Sequence, residues 1–246
     1  MRKMIIKSLL AGMCVSFGAI AYVLTKNQGI LGAALFSVGI LLIIEFDFKL
    51  FTSYVPKYAP LGVEKDKLKT YLIYIRNCLF VFFFNFCGAA LVSLIAFNTR
   101  IAHEIVGDST FSELITEIVQ HKLEDGFISV FLMSIFCGVI IACVCKATTW
   151  KHNVLYIIIL ITTFVVCGFD HVVANSFYLV FTGELFTLHG IEYFLITLIG
   201  NFIGGYLFML VPLLGVDEPP HHLEDKLKKE QEAKKQKELE EKNLVN

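Results

Sequence analysis

Six stretches of this chain are apolar for long enough to cross a bilayer, and charge interrupts two of them near their middles. A spanning helix needs about 20 apolar residues. The stretches run roughly over 5–25, 28–58, 71–98, 124–149, 153–183 and 190–215. The second is broken by Glu45-Phe46-Asp47-Phe48-Lys49 and the fifth by Gly168-Phe169-Asp170-His171. Of the 246 residues 56% are hydrophobic and only 17% charged, and mean hydropathy is +0.69. That is too apolar for an ordinary soluble domain and predicts an all-α membrane protein. Residues 1–215 form the expected membrane domain and 216–246 a charged tail. Pro219-Pro220 stops the last apolar stretch, and the run from Lys226 to Lys242 mixes charges in a helix-forming composition.

Charge placement orients the chain. Lys and Arg crowd at the N-terminus (Arg2, Lys3, Lys7), between the second and third stretches (Lys57, Lys65, Lys67, Lys69, Arg76), between the fourth and fifth (Lys146, Lys151), and in the tail. The opposite face holds Lys26, Arg100 and Lys122. Cytoplasmic loops carry the basic excess, so both termini are expected on the cytoplasmic side of the plasma (inner) membrane. An even number of spans agrees. The basic N-terminus before an apolar run imitates a signal peptide, but no clear small-residue cleavage site follows, so a retained helix is expected. The net charge of -1 predicts no nucleic-acid partner.

Catalytic chemistry has no signature here. Neither H-E-x-x-H nor G-x-S-x-G occurs, and no enzyme activity, cofactor or metal is expected. The seven cysteines all fall in apolar stretches and read as small buried hydrophobes. His221-His222 lies in the polar tail without partner ligands.

The chain repeats itself weakly. Asn85-Phe86-Cys87-Gly88-Ala89 in the third stretch matches Asn201-Phe202-Ile203-Gly204-Gly205 in the sixth, and the breaks fall in the second and fifth. Three helices followed by three, each set broken in its middle member, is the pattern of an inverted repeat. Such folds bind their cargo near the midplane, where the broken helices meet. Gly88, Gly200, Gly204 and Gly205 permit close helix packing. An ionisable side chain at that depth costs about 2.5–3.5 kcal/mol and is kept mainly for function. His171 is thus the leading site residue, able to hydrogen-bond an arriving anion or hand it a proton near neutral pH. Glu45 and Lys49, spaced i, i+4, would pair if their segment stays helical.

Several segments resemble the formate/nitrite transporters, a family that includes hydrosulfide and lactate-type channels. Gly168-Phe169-Asp170-His171-Val172-Val173-Ala174-Asn175 looks like its G-F-[ED]-H-x-x-A-N, Phe36-Ser37-Val38-Gly39-Ile40 like its F-S-L-G-L, and Leu50-Phe51-Thr52-Ser53 like its L-F-T-[GS]. The resemblance implies an aquaporin-like fold of six helices with an inverted 3+3 repeat and a pore in each protomer of a homopentamer. It implies a channel for small weak-acid anions of the formate, nitrite or hydrosulfide class, with protons as possible co-substrates and the lipid bilayer as surroundings. The same fold could instead carry a short carboxylate or a neutral solute, or be a non-conducting relative. The central histidine falls on His171, the pore threonine on Thr52 and the fifth-span asparagine on Asn175. A lysine that begins the fourth span and supplies positive potential falls on Lys122. The outer hydrophobic constriction falls on Leu50 and Phe164, and the cytoplasmic one on Phe36 and Ile40. Asp170 is expected to orient His171 or cap the half-helix, and Thr52 can also serve as a cap. The family usually has Asp or Glu where this chain has Lys49. Together with Glu45 and Asp47, Lys49 is a candidate for a structural salt bridge or altered selectivity.

Overall fold

The computed structural model describes residues 1–60, 67–150 and 154–211, with backbone alone for 146–150. The tail and its charged run lie outside the described residues, as do Lys65 and Lys151. The chain divides into two units, Met1–Met209 and Leu210–Asn246, and the first holds nearly all of the described helices.

Ten α-helices succeed one another among the described residues: α1 (Arg2–Leu24), α2 (Ile30–Leu35), α3 (Ser37–Glu45), α4 (Phe51–Tyr58), α5 (Lys67–Phe97), α6 (Phe111–Glu124), α7 (Phe127–Trp150), α8 (Val154–Val166), α9 (Val172–Thr182) and α10 (Leu188–Leu210). Four of them, α1, α5, α7 and α10, are long and apolar enough to cross a membrane. The second and fifth apolar stretches are assembled from shorter pieces, α2–α3–α4 and α8–α9. A short β-pair, Ile105–Val106 against Ser109–Thr110, turns the chain ahead of α6. The hydropathy pattern gives no sign of it.

Both breaks are built from the same backbone device. At the first, Asp47 adopts positive φ (49°), its N–H bonds Ile44 O, and the Phe48 N–H reaches Ile43 O at 2.9 Å. At the second, Gly168 takes the same conformation (φ 68°), its N–H bonds Val165 O, and the Phe169 N–H reaches Phe164 O at 3.2 Å. This bonding pattern is the Schellman ending, in which a left-handed residue lets the last carbonyls of a helix find donors. Glycine suits that residue best, and Asp is among the few others that tolerate it.

Glycines set how closely the long helices approach. A Cβ on Gly12 of α1 would overlap the Asn85 carbonyl of α5, and one on Gly88 of α5 would overlap the Leu9 carbonyl of α1. The second half repeats this arrangement. Gly138 of α7 lies against the Asn201 carbonyl of α10, and Gly204 of α10 against the Ile135 carbonyl of α7. Backbones in such contact leave space only for hydrogen, which is how helices associate where no hydrophobic force favours one apolar surface over another.

Outside the long helices, α6 folds for a local reason. Thr110 and Glu113 form a capping box, the Glu113 carboxylate accepting the Thr110 N–H at 2.7 Å. Phe111, Ile115 and Val119, one helical face, are buried.

Candidate functional site

Two half-helices, α4 and α9, begin where the breaks end, and their first residues meet. The Thr52 hydroxyl lies 2.9 Å from His171 Nε2, and both side chains are buried. His171 is also the N-cap of α9, its Nδ1 accepting the Ala174 N–H at 3.2 Å. A ring nitrogen that accepts carries no proton, so in the neutral ring Nε2 holds it and donates to Thr52. The Thr52 hydroxyl proton then has no acceptor among the described residues. The amides of Thr52 and Val173, equivalent positions in the two half-helices, also take no such bond among the described residues. First-turn N–H groups of this kind are anion donors.

Each half-helix is held by an asparagine. Asn85 Oδ1 accepts the Phe51 N–H at 2.7 Å, and its amide donates to Lys49 O and Ser8 O at 2.8 and 2.6 Å. Asn201 Oδ1 accepts the Val172 N–H at 2.9 Å, and its amide donates to Asp170 O and Ser134 O at 2.7 and 2.9 Å.

His171 lines a cavity of about 80 Å³ together with Tyr22, Phe36, Lys122, Phe164 and Asn175. The Phe36 and Phe164 rings meet edge-on with centroids 5.6 Å apart, and Phe164 lies 6.0 Å from the His171 ring. Lys122 Nζ donates to Asp170 Oδ1 at 2.6 Å. The same oxygen takes a short bond from the Tyr193 hydroxyl, which in turn accepts from the Asn175 amide at 2.7 Å. The pair carries no net charge, so Lys122 offers the cavity a dipole and donors rather than a bare cation.

A model of the formate/nitrite transporter family matches residues 1–215. The chain belongs to the formate/nitrite transporter family. It is an integral membrane protein of a family of channels and transporters, not enzymes, and the family supports an anion channel. Over 68% of its length the chain is 24% identical to the formate channel FocA of Haemophilus influenzae, the match spanning 62% of that relative, a little under two thirds. It is 27% identical to the formate channel BtFdhC of Bacillus thuringiensis over 84% of this chain and 83% of that one. The fold is that of a solved pentameric formate channel with formate bound, with a TM-score of 0.73 at 22% identity over 88% of this chain and 98% of that one.

Within this transporter fold, the expected site residues separate into groups. Thr52 and His171 touch, and Phe36, Lys122, Phe164, His171 and Asn175 share one cavity. Leu50 and Ile40 are buried in the core but do not line that cavity. Phe36 and Phe164, expected at opposite constrictions, face each other, because the α2–α3 junction packs beside the end of α8. Lys122 does not begin the fourth span. It ends α6, since Asp125-Gly126 separates that helix from α7. Its partner is Asp170 rather than its sequence neighbours Glu124 and Asp125.

Capping also differs from expectation. His171, not Asp170, caps α9, and Leu50 is the cap position of α4, leaving the Thr52 hydroxyl for His171. Glu45 and Lys49 do not pair, because the helix ends between them. Lys49 bonds Asp47 at 3.1 Å, as Lys7 does at 2.8 Å. This cluster sits near the start of α1, whereas Lys26, just past its end, pairs with Glu117 of α6. At 1.5 Å per residue the two levels are about 25 Å apart along α1, so the cluster and the Lys26–Glu117 pair lie toward opposite ends of that helix. Tyr193 is the member of this hydrogen-bond network that the sequence conceals. Tyr193 and Tyr206 form no pattern in this apolar helix, and the partner Asp170 lies on another element.

Proposed function

We propose that the protein is a channel for small monovalent weak-acid anions, formate or nitrite foremost, and that it works as a homopentamer in the plasma membrane. Six spans, two of them composite, with both termini cytoplasmic, fit the Lys/Arg asymmetry and the helix order. The names of its relatives and the pentameric structural neighbour support the cargo and the assembly. The observation that carries the reading is the buried Thr52–His171 hydrogen bond at the meeting of two half-helix N-termini, beside a cavity that also holds Lys122.

The chemistry follows from magnitudes. A bare anion crossing the Phe36–Phe164 contact loses its hydration, at a cost of up to tens of kcal/mol in an apolar medium. Protonating a carboxylate of ordinary pKa, about 4, costs only about 4 kcal/mol at neutral pH. The neutral acid is therefore the cheaper species to pass the rings. Lys122 supplies donors that draw the anion into the cavity, and Asn175 holds Tyr193 and Asp170 behind it. The Thr52 hydroxyl, its lone pair taken by His171 Nε2–H, donates its own proton toward the cargo. A proton that enters from the bulk water with the anion neutralises the cargo, and the Thr52 hydroxyl and the His171 Nε2–H that orients it hold the uncharged acid by hydrogen bonding as it passes.

Uptake of formate and nitrite into proteoliposomes between pH 5 and 8, with His171→Ala beside the wild type, tests this. Wild-type flux that collapses in the variant supports the reading. Absence of formate and nitrite flux at every pH would remove the substrate assignment.

A further inference from the structure

We propose that Asn85 and Asn201 are positioning residues that set the equivalent residues of the two breaks, Leu50 and His171, by clamping the backbone on either side of each. The two asparagines are visible in the sequence only as a repeat, and nothing in the transport reading uses them. In the structure each one straddles a single residue. Asn201 donates to the carbonyl before His171 and accepts the amide after it. Asn85 does the same around Leu50, through Lys49 O and Phe51 N–H. The third bond of each ties the break to a neighbouring long helix, Ser134 O of α7 or Ser8 O of α1. Both side chains are wholly buried. Only one amide orientation satisfies all three partners, because the oxygen must accept and the nitrogen must donate.

A plain structural cap would bond the helix it begins. These bond both sides of the break, so the direction in which residue 50 or 171 leaves the backbone is fixed from both ends. The pivots differ in chemistry, and the clamps therefore differ in consequence. Asn201 fixes the His171 ring, and with it the Nε2–H that meets Thr52. Asn85 fixes Leu50, an apolar side chain, and sets how closely that side chain approaches the half-helix junction. The same physical rule governs both: a group displaced by about 1 Å from its working geometry loses much of its effect, on the order of a hundredfold in the strongest cases.

This inference rests on the reading of Thr52–His171 as the selective point, and the test keeps the two apart. Nitrogen NMR of histidine-labelled protein reports the His171 tautomer, and proteoliposome uptake reports formate and lactate flux. In Asn201→Ala the single Nε2–H signature gives way to a mixture, and formate flux falls roughly tenfold. In Asn85→Ala the ring signature is unchanged, and the lactate-to-formate flux ratio rises several-fold as Leu50 loosens. Where Asn201→Ala does not assemble, Asn201→Ser, which keeps a short hydroxyl, is measured the same way. An Asn201 variant with the wild-type ring signature and flux overturns the clamp. Wild-type flux in His171→Ala overturns the transport reading instead, while the ring signature still reads the clamp.

Discussion

At the first break the chain runs Asp47-Phe48-Lys49-Leu50-Phe51-Thr52, and at the second Gly168-Phe169-Asp170-His171-Val172-Val173. The backbones match at the helix endings, with a left-handed residue at the same position, the same Schellman closure and an asparagine around the same position. The side chains invert. Lys49 stands where the second break has Asp170, and Leu50 where it has His171. The exposure of the charges inverts with them. Asp47 is 57% exposed and shared among Lys7, Lys49 and Lys57, whereas Asp170 is 4% exposed and committed to Lys122 and Tyr193. Even the flanking serines differ. The Ser134 hydroxyl bonds Val130 O, and the Ser8 hydroxyl is buried without a partner among the described residues. One scaffold thus carries a solvated ionic cluster at one break and a buried polar network at the other. Geometry belongs to the repeat, and chemistry belongs to the individual residues.

That contrast is sharpest in the ion pairs. Asp170→Ala strands a partly buried lysine and opens a buried polar network, and is expected to cost about 3 kcal/mol, read as thermal unfolding in detergent. Replacing both partners, Lys122→Met with Asp170→Leu, recovers much of the loss. Gly168→Ala forces a Cβ into the left-handed residue and costs about 1–2 kcal/mol on the same assay. At the first break Asp47→Asn keeps a residue that tolerates this conformation and loses only exposed pairs, so stability shifts by less than about 1 kcal/mol. A loss at Asp47 as large as that at Asp170 would break the comparison.

The smallest expected effect lies outside the membrane. The Thr110 N–H, and then its hydroxyl, hold the Glu113 carboxyl below its ordinary range. A depressed folded value adds stability above the unfolded one, and that stability is lost as pH falls through the lowered value. Glu113→Gln should therefore speed amide exchange in the first turn of α6 and leave transport unchanged.

The second break is legible because Gly168 and His171 are rare company in an apolar run. The first is located by its charges, but they mislead in detail. Asp47 looks like a carboxylate to be paired, and its other property, tolerance of positive φ, decides where the helix ends. Once α3 stops at Glu45, the i, i+4 pairing with Lys49 has no helix to act through. The asparagines stand out as a repeat, yet their role needs the third dimension, since each binds backbone from two other helices. The capping box at Thr110 and Glu113 is readable by its spacing, but the long apolar stretches on either side mask it. Lys122, Asp170 and Tyr193 come from three separate elements, and no local pattern links them.

The central claim is that the cargo meets the protein at Thr52 and His171, beyond the Phe36–Phe164 contact. A structure of the reconstituted channel in saturating formate tests it most directly. The account predicts a formate oxygen within about 3 Å of the Thr52 hydroxyl, with His171 Nε2 still directed at Thr52. Formate held only by the lysines around Asp47, with the Thr52–His171 junction empty, would contradict it.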